Sequence, residues 1–154
     1  MIDARLQKLN IILPQQSAPA ANYVPFVKVG PLVFISGQLP SSQGELKYKG
    51  KLGDTISIEE GQAAARLCAL NILAQLKVAC EGDLNRVVRC VRLGGFINST
   101  DIFQDHPKVM NGASDLMVEV FDEKGHHARA AVGVNALPFG VAVEVDALFK
   151  VNES

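Results

Sequence analysis

The stretch HHARAAVGVNALPFGVAVEVDALF, residues 126–149, decides the fold and carries the most unusual chemistry of the chain. Apolar residues alternate along both of its halves, which predicts two β-strands. Proline and glycine between Leu137 and Gly140 predict a turn, so we expect the two strands to pair as a hairpin. Arg129 is the only charge in the first strand. A planar cation beside small side chains is suited to hold a small carboxylate.

Alternation assigns the residues of these two strands to two faces of a sheet. One face is expected to pack under helices and consists of Val132, Val134, Val141, Val143, Val145 and Phe149. The other face carries Arg129, Ala131, Gly133 and Asn135 beside Ala142, Glu144, Asp146 and Leu148. This second face is too apolar for free solvent and yet carries charges. We therefore expect another copy of the chain to cover it.

The spacing of the hairpin separates the two most interesting charges. If the turn pairs Ala136 with Val141, then Arg129 and Glu144 lie on the order of 13 Å apart along the ladder. That distance is too long for an ion pair within one chain, so a shared substrate would require the two residues to converge from different subunits. A bulge would change this register. In the alternative interpretation Arg129 is a structural ion-pair partner, for example of Asp146.

The N-terminal half predicts a hairpin and a long connection. Residues 1–15 are mildly amphipathic and fit either a short helix or an extended arm, and residues 17–21 are expected to be a loop. Strands over 26–29 and 32–36 flank Gly30-Pro31 and predict a hairpin. The glycine-, serine- and lysine-containing segment 40–54 is expected to be a mobile connection.

Two helices and a strand complete the predicted elements. Ser57 and Glu60 have the spacing of a capping box, and helical periodicity continues to about Val78. Residues 87–97 read as a strand, with a bulge or a close backbone approach at Gly94-Gly95. A second helix is expected to start near residues 105–107 and to end at Gly125. Its predicted buried stripe is Val109, Met110, Ala113, Leu116, Met117, Val120 and Phe121. The order of elements predicts an α+β sandwich with one sheet and both helices on one face.

Composition narrows the classes of function. The 154 residues suit a single domain, and a formal net charge of −1 without a basic run argues against a nucleic-acid or membrane surface. No apolar run is long enough to cross a bilayer. Three cysteines without a CxxC spacing indicate free thiols and a reducing cytoplasm. Neighbouring His126 and His127 point in opposite directions in an extended segment, so no metal site is predicted. Gly94-Gly95 is not a complete phosphate loop.

Several blocks resemble the RidA/YjgF family, which is also called the reactive-intermediate deaminase or endoribonuclease L-PSP family. The matching blocks are residues 18–21 (APAA), 25–26 (PF), 35–40 (ISGQLP), 109–111 (VMN), 128–129 (AR), 136–138 (ALP) and 143–147 (VEVDA). They follow the family order and cover nearly the whole chain from residue 17. We expect an N-terminal arm over 1–16 and one RidA/YjgF-like domain over 17–154.

The resemblance implies a chorismate-mutase-like fold with a mostly antiparallel sheet, assembled as a homotrimeric barrel with clefts between subunits. It implies hydrolysis of enamines and imines such as 2-aminoacrylate to 2-keto acids and ammonia, without metal or organic cofactor. By position, Arg129 would clamp the substrate carboxylate and Glu144 would position or activate water. The implied substrate-binding residues are Phe26, Ser36, Gly37, Asn111, Ala130 and Ala131.

Two positions depart from the family pattern. Phe26 replaces the usual tyrosine, and Ala131 replaces a residue that is often cysteine. The N-terminal arm and segment 40–54 are longer than in compact members, which is typical of an extended subgroup. Two alternative functions therefore stay open. One is RNA cleavage with inhibition of translation, which the low aromatic content and absence of tryptophan argue against. The other is a trimer that binds a small metabolite without turnover.

Overall fold

A computed structural model describes residues 1–15 and 22–153. The helices are α1 (Ile2–Lys8), α2 (Ile58–Ala79) and α3 (His106–Phe121). The strands are β1 (Phe26–Val29), β2 (Leu32–Gln38), β3 (Ser41–Ser42), β4 (Glu45–Leu46), β5 (Val87–Asn98), β6 (Ala128–Val134) and β7 (Val143–Val151). The predicted loop over 17–21 lies outside the described residues. None of the helices in the described part is long and apolar enough to span a membrane.

One five-stranded sheet has the order β1-β2-β7-β5-β6, and β3 and β4 form a separate two-stranded ladder. The β1–β2, β2–β7 and β5–β7 pairs are antiparallel, and the β5–β6 pair is parallel. The sheet is therefore mixed but mostly antiparallel, as expected. The hairpin around Gly30-Pro31 is confirmed, with Val29 paired to Leu32.

Helices α2 and α3 pack on one face of the sheet. The packing of α3 on α2 requires a close approach of their backbones. The capping box of Ser57 and Glu60 starts α2, and Asp105 precedes α3 with proline in its first turn. A Cβ built on Gly112 would overlap the backbone carbonyl of Gln62, so only glycine lets the helices come this close. The seven residues of the predicted α3 stripe are all buried. This packing fixes the position of α3 above β5 and β6.

The predicted hairpin of the last two strands is wrong. β6 pairs with β5 alone, and β7 lies on the other side of β5, so a strand separates them. The chain between β6 and β7 passes the end of β5, where the backbone N–H of Asn98 donates to the Ala142 carbonyl. A 3-10 turn at Pro138–Gly140 reverses the direction, with Phe139 at a φ of 59°. The short, turn-like connection therefore crosses over a strand instead of joining neighbours.

The face assignment is right for β7 and wrong for β6. Val143, Val145 and Phe149 are buried under the helices, while Glu144 and Asp146 lie on the opposite, open face. Leu93, Gly95 and Ile97 of β5 face the helices. The parallel register places Arg129, Ala131 and Gly133 of β6 beside them, on the same face of the sheet. Val132, predicted to be buried, is 47% exposed.

The structure refines three further predictions. Segment 40–54, which was expected to be a mobile connection, contains β3 and β4 and buries Leu52, whose backbone N–H donates to the Asn98 carbonyl. Gly94-Gly95 continues the ladder without a bulge, and the shifts of register lie earlier in β5. The close approach expected there is present, because a Cβ on Gly95 would overlap the Met110 thioether. Helix α3 ends at Phe121, and a 3-10 turn over Asp122–Gly125 follows it.

The N-terminal residues form the short helix that was one of the two expectations. Leu6 of α1 is buried in the core, and the Arg5 guanidinium forms a bidentate ion pair with the Asp122 carboxylate behind α3. The Ile2 amide donates to the Asn85 side chain. Helix α1 therefore packs against the same body as the rest of the described chain.

Candidate active site

Arg129 lies on the edge strand β6 and reaches back to α3. Its Nη1 donates to the Asn111 Oδ1 at 2.9 Å and to the Ser114 Oγ at 3.1 Å, and its Nη2 donates to the Pro107 carbonyl at 3.3 Å. All three acceptors are neutral oxygens. The guanidinium therefore keeps its positive charge uncompensated within the described residues, and its Nε–H and one Nη–H stay available for a carboxylate.

Asp146 is not the partner of Arg129. The Arg92 guanidinium lies 3.7 Å from the Asp146 carboxylate on the open face of the sheet. Because Arg129 lies on the helix face, the structural ion pair considered from the sequence does not form. The uncompensated cation at Arg129 fits anion binding better than a structural role.

A serine and a histidine extend the Arg129 cluster. The Ser114 Oγ lies 2.8 Å from the His127 Nε2, and the His127 Nδ1 lies 2.6 Å from the Gly125 carbonyl oxygen. Burial lowers the pKa of His127, and the Arg129 charge lowers it further, while the Gly125 carbonyl raises it. His127 is therefore favoured as a neutral ring beside the arginine.

Ser114 and His127 are the functional candidates that sequence reasoning missed. The spacing of Asn111 and Ser114 was available as a signal, because residues i and i+3 lie on the same face of a helix. His127 lies two residues before Arg129 and so points to the same side of the extended segment. Neither spacing indicates a contact with Arg129 unless α3 is known to lie over β6.

Glu144 lies on the open face in the middle of the sheet. Partial burial raises the pKa of its carboxyl above the ordinary value, and the neighbouring Asp146 charge raises it further. Among residues 1–15 and 22–153, no side-chain hydrogen bond or ion pair reaches this carboxylate. A Cβ built on Gly37 would overlap its Oε2, so glycine at that position makes room for the acid. The structure thus brings Gly37 and Glu144 together.

Arg129 and Glu144 do not meet within one chain. Arg129 is level with Ala147, since both pair with Leu93, and Glu144 lies three residues further along β7. Two strand spacings across and three residues along give about 14 Å between their Cα atoms. Their side chains also lie on opposite faces of the sheet. A single subunit therefore presents two separate candidate half-sites, one around Arg129 and one around Glu144.

The other predicted site residues divide between these faces. Asn111 and Ala131 lie with Arg129 on the helix side, whereas Ala130 is exposed on the open face. Ser36 lies on the open side, and its hydroxyl donates to the Val24 carbonyl at 2.7 Å. Phe26 packs against the core on β1, at the opposite edge of the sheet from Arg129.

Two cavities lie on the same strands, and the lining of neither includes Arg129 or Glu144. One of about 410 Å³ adjoins β6 at Gly133, with Ser99 and His106 hydrogen-bonded at 3.2 Å in its wall. Another of about 340 Å³ lies on the open face beside Ser36 and the Arg92–Asp146 pair. In the described part of the chain, no three His, Cys, Asp or Glu side chains are grouped to hold a metal ion.

Comparison with known proteins agrees with this architecture. Residues 3–149 match the family described as "YjgF/chorismate_mutase-like, putative endoribonuclease". Protein TCP17 of Trypanosoma cruzi is 51% identical over 152 residues, which cover 98% of this chain and 94% of TCP17. The structure of a "putative endoribonuclease" from Shewanella oneidensis is 38% identical, with a TM-score of 0.94 and coverage of 98% of this chain and 99% of that one.

A RidA from a Psychrobacter species is more distant. It is 32% identical and has a TM-score of 0.59, with coverage of 91% of this chain and 99% of that one. The geometry of this chain is therefore closer to the Shewanella protein than to that RidA. On its sequence match and its fold, the chain belongs to the YjgF/chorismate mutase-like family, which includes proteins named RidA and proteins named endoribonucleases.

Proposed function

We propose that this protein is a cofactor-independent deaminase that hydrolyses small enamines and imines, such as 2-aminoacrylate and 2-iminopropanoate, to 2-keto acids and ammonia. The observation that carries the proposal is the Arg129 guanidinium, which neutral oxygens of α3 hold in place without neutralising its charge. Such a group can bind the carboxylate of a 2-imino acid in a bidentate manner. The similarity to a RidA supports the same class of substrate.

The reaction makes modest demands on a protein. An iminium carbon is already electrophilic, so the site needs to orient the substrate, present a water and move protons. Partial burial raises the pKa of Glu144, which makes its carboxyl easier to protonate than an exposed one and suits a group that exchanges protons during the reaction. In this proposal Arg129 binds the carboxylate, and Glu144 positions the water and exchanges a proton with the reacting groups.

The proposal includes a homotrimer with active sites between subunits. Arg129 and Glu144 lie on opposite faces of one sheet, and Phe26 and Arg129 lie on opposite edges, so one chain cannot collect them around one substrate. Surfaces at opposite edges meet when copies associate head to tail, and a rotation of one third of a turn between copies closes such an association into a trimeric ring. Exposed Val27, Phe34 and Val132 on the described sheet supply apolar area for this contact.

The setting that fits this function is a reducing cytoplasm. Cys68, Cys80 and Cys90 are buried and free, as expected for a protein that does not depend on disulfides. The purified protein should accelerate release of pyruvate and ammonia from freshly generated 2-iminopropanoate. A rate equal to that of buffer would remove the deaminase proposal, and binding of pyruvate in calorimetry would then favour a metabolite-binding trimer.

Mixing inactive variants tests the shared site. Arg129→Ala and Glu144→Gln protomers, each inactive alone, should regain activity after they are denatured together and refolded. In a random trimer about a quarter of the intersubunit clefts would contain both native residues. Recovery near that fraction supports the shared cleft, and the absence of recovery in confirmed mixed trimers contradicts it.

RNA cleavage is the second candidate because the matched family and the Shewanella protein carry that description. The near-neutral net charge of −1 makes a phosphate-binding groove a weaker expectation. Cleavage of single-stranded RNA by wild-type protein, lost in Arg129→Ala and absent from a mock purification, would favour this candidate.

A further inference from the structure

The hydrogen bonds around His127 fix the direction of a proton path. The Gly125 carbonyl can only accept, so the His127 Nδ1 at 2.6 Å carries a proton. In the neutral ring the Nε2 is then an acceptor, and the Ser114 hydroxyl at 2.8 Å donates to it. The Arg129 Nη1 donates to the same Ser114 oxygen at 3.1 Å. The chain of donors therefore runs from Arg129 through Ser114 to His127.

Protonation of His127 would reverse one link of this chain. An imidazolium Nε2 must donate, so the Ser114 oxygen becomes its acceptor and the Ser114 proton has to turn elsewhere. Arg129 has no acceptor to offer. The Ser114 proton can then turn to the backbone carbonyl one helical turn back or to a ligand on Arg129. With a ligand bound, Ser114 can change from a hydroxyl that points at the histidine to one that donates to the bound molecule.

We propose that Ser114 and His127 form a proton relay for the carboxylate-bearing molecule held by Arg129. Ser114 would be the catalytic hydroxyl that contacts the ligand, and His127 would act through it as the proton store. This role rests on the proposed function, because it needs the carboxylate to lie on Arg129.

The relay accounts for the movement of each proton in the hydrolysis of 2-iminopropanoate. Water attacks the iminium carbon, a C–O bond forms, and the C=N π pair moves to nitrogen. One water proton passes to Ser114 while the Ser114 proton passes to the His127 Nε2. The imidazolium returns that proton through Ser114 to the nitrogen, which leaves with the C–N pair as ammonia. The electron pair of the carbinol O–H bond forms the C=O bond. The released proton passes to ammonia through Glu144, which in the proposed cleft belongs to a neighbouring subunit. The products are pyruvate and ammonium, with no change of oxidation state.

The charges around His127 make its titration sensitive to a ligand on Arg129. The charged or titratable neighbours that act on the ring are Arg129 in β6 and the adjacent His126. Helix α3 contributes the Ser114 hydroxyl, and Arg89 of β5 donates to the His126 carbonyl. A carboxylate on Arg129 would offset the guanidinium charge and so make protonation of His127 easier.

The experiment follows the imidazole nitrogens of His127 by NMR during pH titrations with and without saturating pyruvate. His127→Gln assigns the signal, and His126→Gln is the matched control for loss of a neighbouring ring. In wild-type protein we expect an Nδ1–H tautomer and a midpoint that rises by about half a pH unit or more with pyruvate. In Ser114→Ala the tautomer should persist, because Gly125 fixes it.

Kinetics with 2-iminopropanoate form the second arm. Ser114→Ala and His127→Gln should lower kcat by about 100-fold and change KM by less than about threefold. Ser114→Thr retains the hydroxyl and should therefore retain activity. His126→Gln should retain the full rate. A wild-type protein without deaminase activity but with the pyruvate-dependent midpoint would remove the proposed reaction and keep the relay. A His127 midpoint that pyruvate leaves unchanged, or a Ser114→Ala effect confined to KM, overturns the relay.

Discussion

The two half-sites differ in how completely one subunit satisfies them. Three neutral oxygens hold the Arg129 guanidinium, whereas the Glu144 carboxylate is half-buried beside another acid, and no side-chain hydrogen bond or ion pair reaches it within the described chain. The helix side is therefore organised before any ligand arrives. The open side keeps an unfavourable carboxylate that a cation, a water or a second subunit can relieve. One subunit by itself therefore organises the surroundings of Arg129, whereas the surroundings of Glu144 remain incompletely satisfied.

Removal of the Arg129 guanidinium should have the largest effect on deaminase activity. Arg129→Ala deletes two charge-assisted hydrogen bonds to the substrate carboxylate, so we expect kcat/KM for 2-iminopropanoate to fall by about 100- to 1000-fold. Arg129→Lys keeps the charge but loses the fork, and should recover only part of the rate. Steady-state kinetics measure both variants, with Arg66→Ala as the control for loss of an exposed arginine.

The outcome would count against carboxylate binding if Arg129→Ala retained the wild-type rate. Thermal unfolding of each variant separates a loss of binding from a loss of folding. Arg129 also donates three hydrogen bonds to α3, so its truncation should lower the unfolding midpoint by several degrees while the variant stays folded at the assay temperature.

Crowding the acid should have the next largest effect. A Cβ at Gly37 would lie 3.0 Å from the Glu144 Cδ and overlap its Oε2, so Gly37→Ala has to displace the carboxylate. A shift on the order of 1 Å at a reacting group can cost about 10- to 100-fold in kcat. The double variant Gly37→Ala/Glu144→Gln should be no slower than Glu144→Gln alone, because both changes disable the same group. Additive losses would show that Gly37 acts elsewhere.

The half-sites also differ in how far the sequence could predict them. Periodicity and capping residues predict α2 and α3 well, since each helix carries its own start signal and apolar stripe. The β6 faces were predicted wrongly because Val132 and Val134 look like core residues, while Arg129, Ala131 and Gly133 look like an open surface. Burial of β6 depends on α3, whose buried stripe covers β5, whereas polar Asn111 and Ser114 lie over β6.

The pairing of β6 could not be read from local residues. A turn containing Pro138 and Gly140 predicts a hairpin, and parallel pairing of β6 with β5 leaves no short-range signal, since the two strands are separated by all of α3. For the same reason the Ser114–His127 contact is invisible in the sequence. The separation of Arg129 from Glu144 was predicted on an incorrect register, and the actual topology separates them by a strand and by a face.

The unsatisfied acid predicts a pH-dependent stability. Burial raises the pKa of Glu144 above its ordinary value, so ionisation is less favourable in the folded chain than in the unfolded one. The stability contributed by the protonated group is present below the unfolded pKa and is lost as pH rises through the folded pKa. Glu144→Gln should therefore unfold at higher urea than wild type at pH 7.5, with little difference at pH 3.5.

Asp146→Asn is the matched control for that measurement. Burial also raises the pKa of Asp146, but the Arg92 guanidinium at 3.7 Å lowers it, so its gain at pH 7.5 should be smaller. A gain for Glu144→Gln that appears only in dilute, dissociated protein would indicate that a cation of another subunit lies on Glu144 in the assembly. No gain at any concentration would contradict an unsatisfied carboxylate.

Restoring the two family residues should have the smallest effect. Phe26→Tyr adds a hydroxyl on β1, and Ala131→Cys adds a thiol beside Arg129 on β6, so the two variants test opposite sheet edges. If Ser114 and His127 already carry the proton, either addition should change kcat by less than about tenfold, the range of one net hydrogen bond. Kinetics of both variants in wild-type and Ser114→Ala backgrounds measure this. A large gain from Ala131→Cys in the Ser114→Ala background alone would show that thiol and hydroxyl are interchangeable on the Arg129 side. A large gain from Phe26→Tyr in the wild-type background would instead show that a hydroxyl on the β1 edge supplies a group that the site lacks.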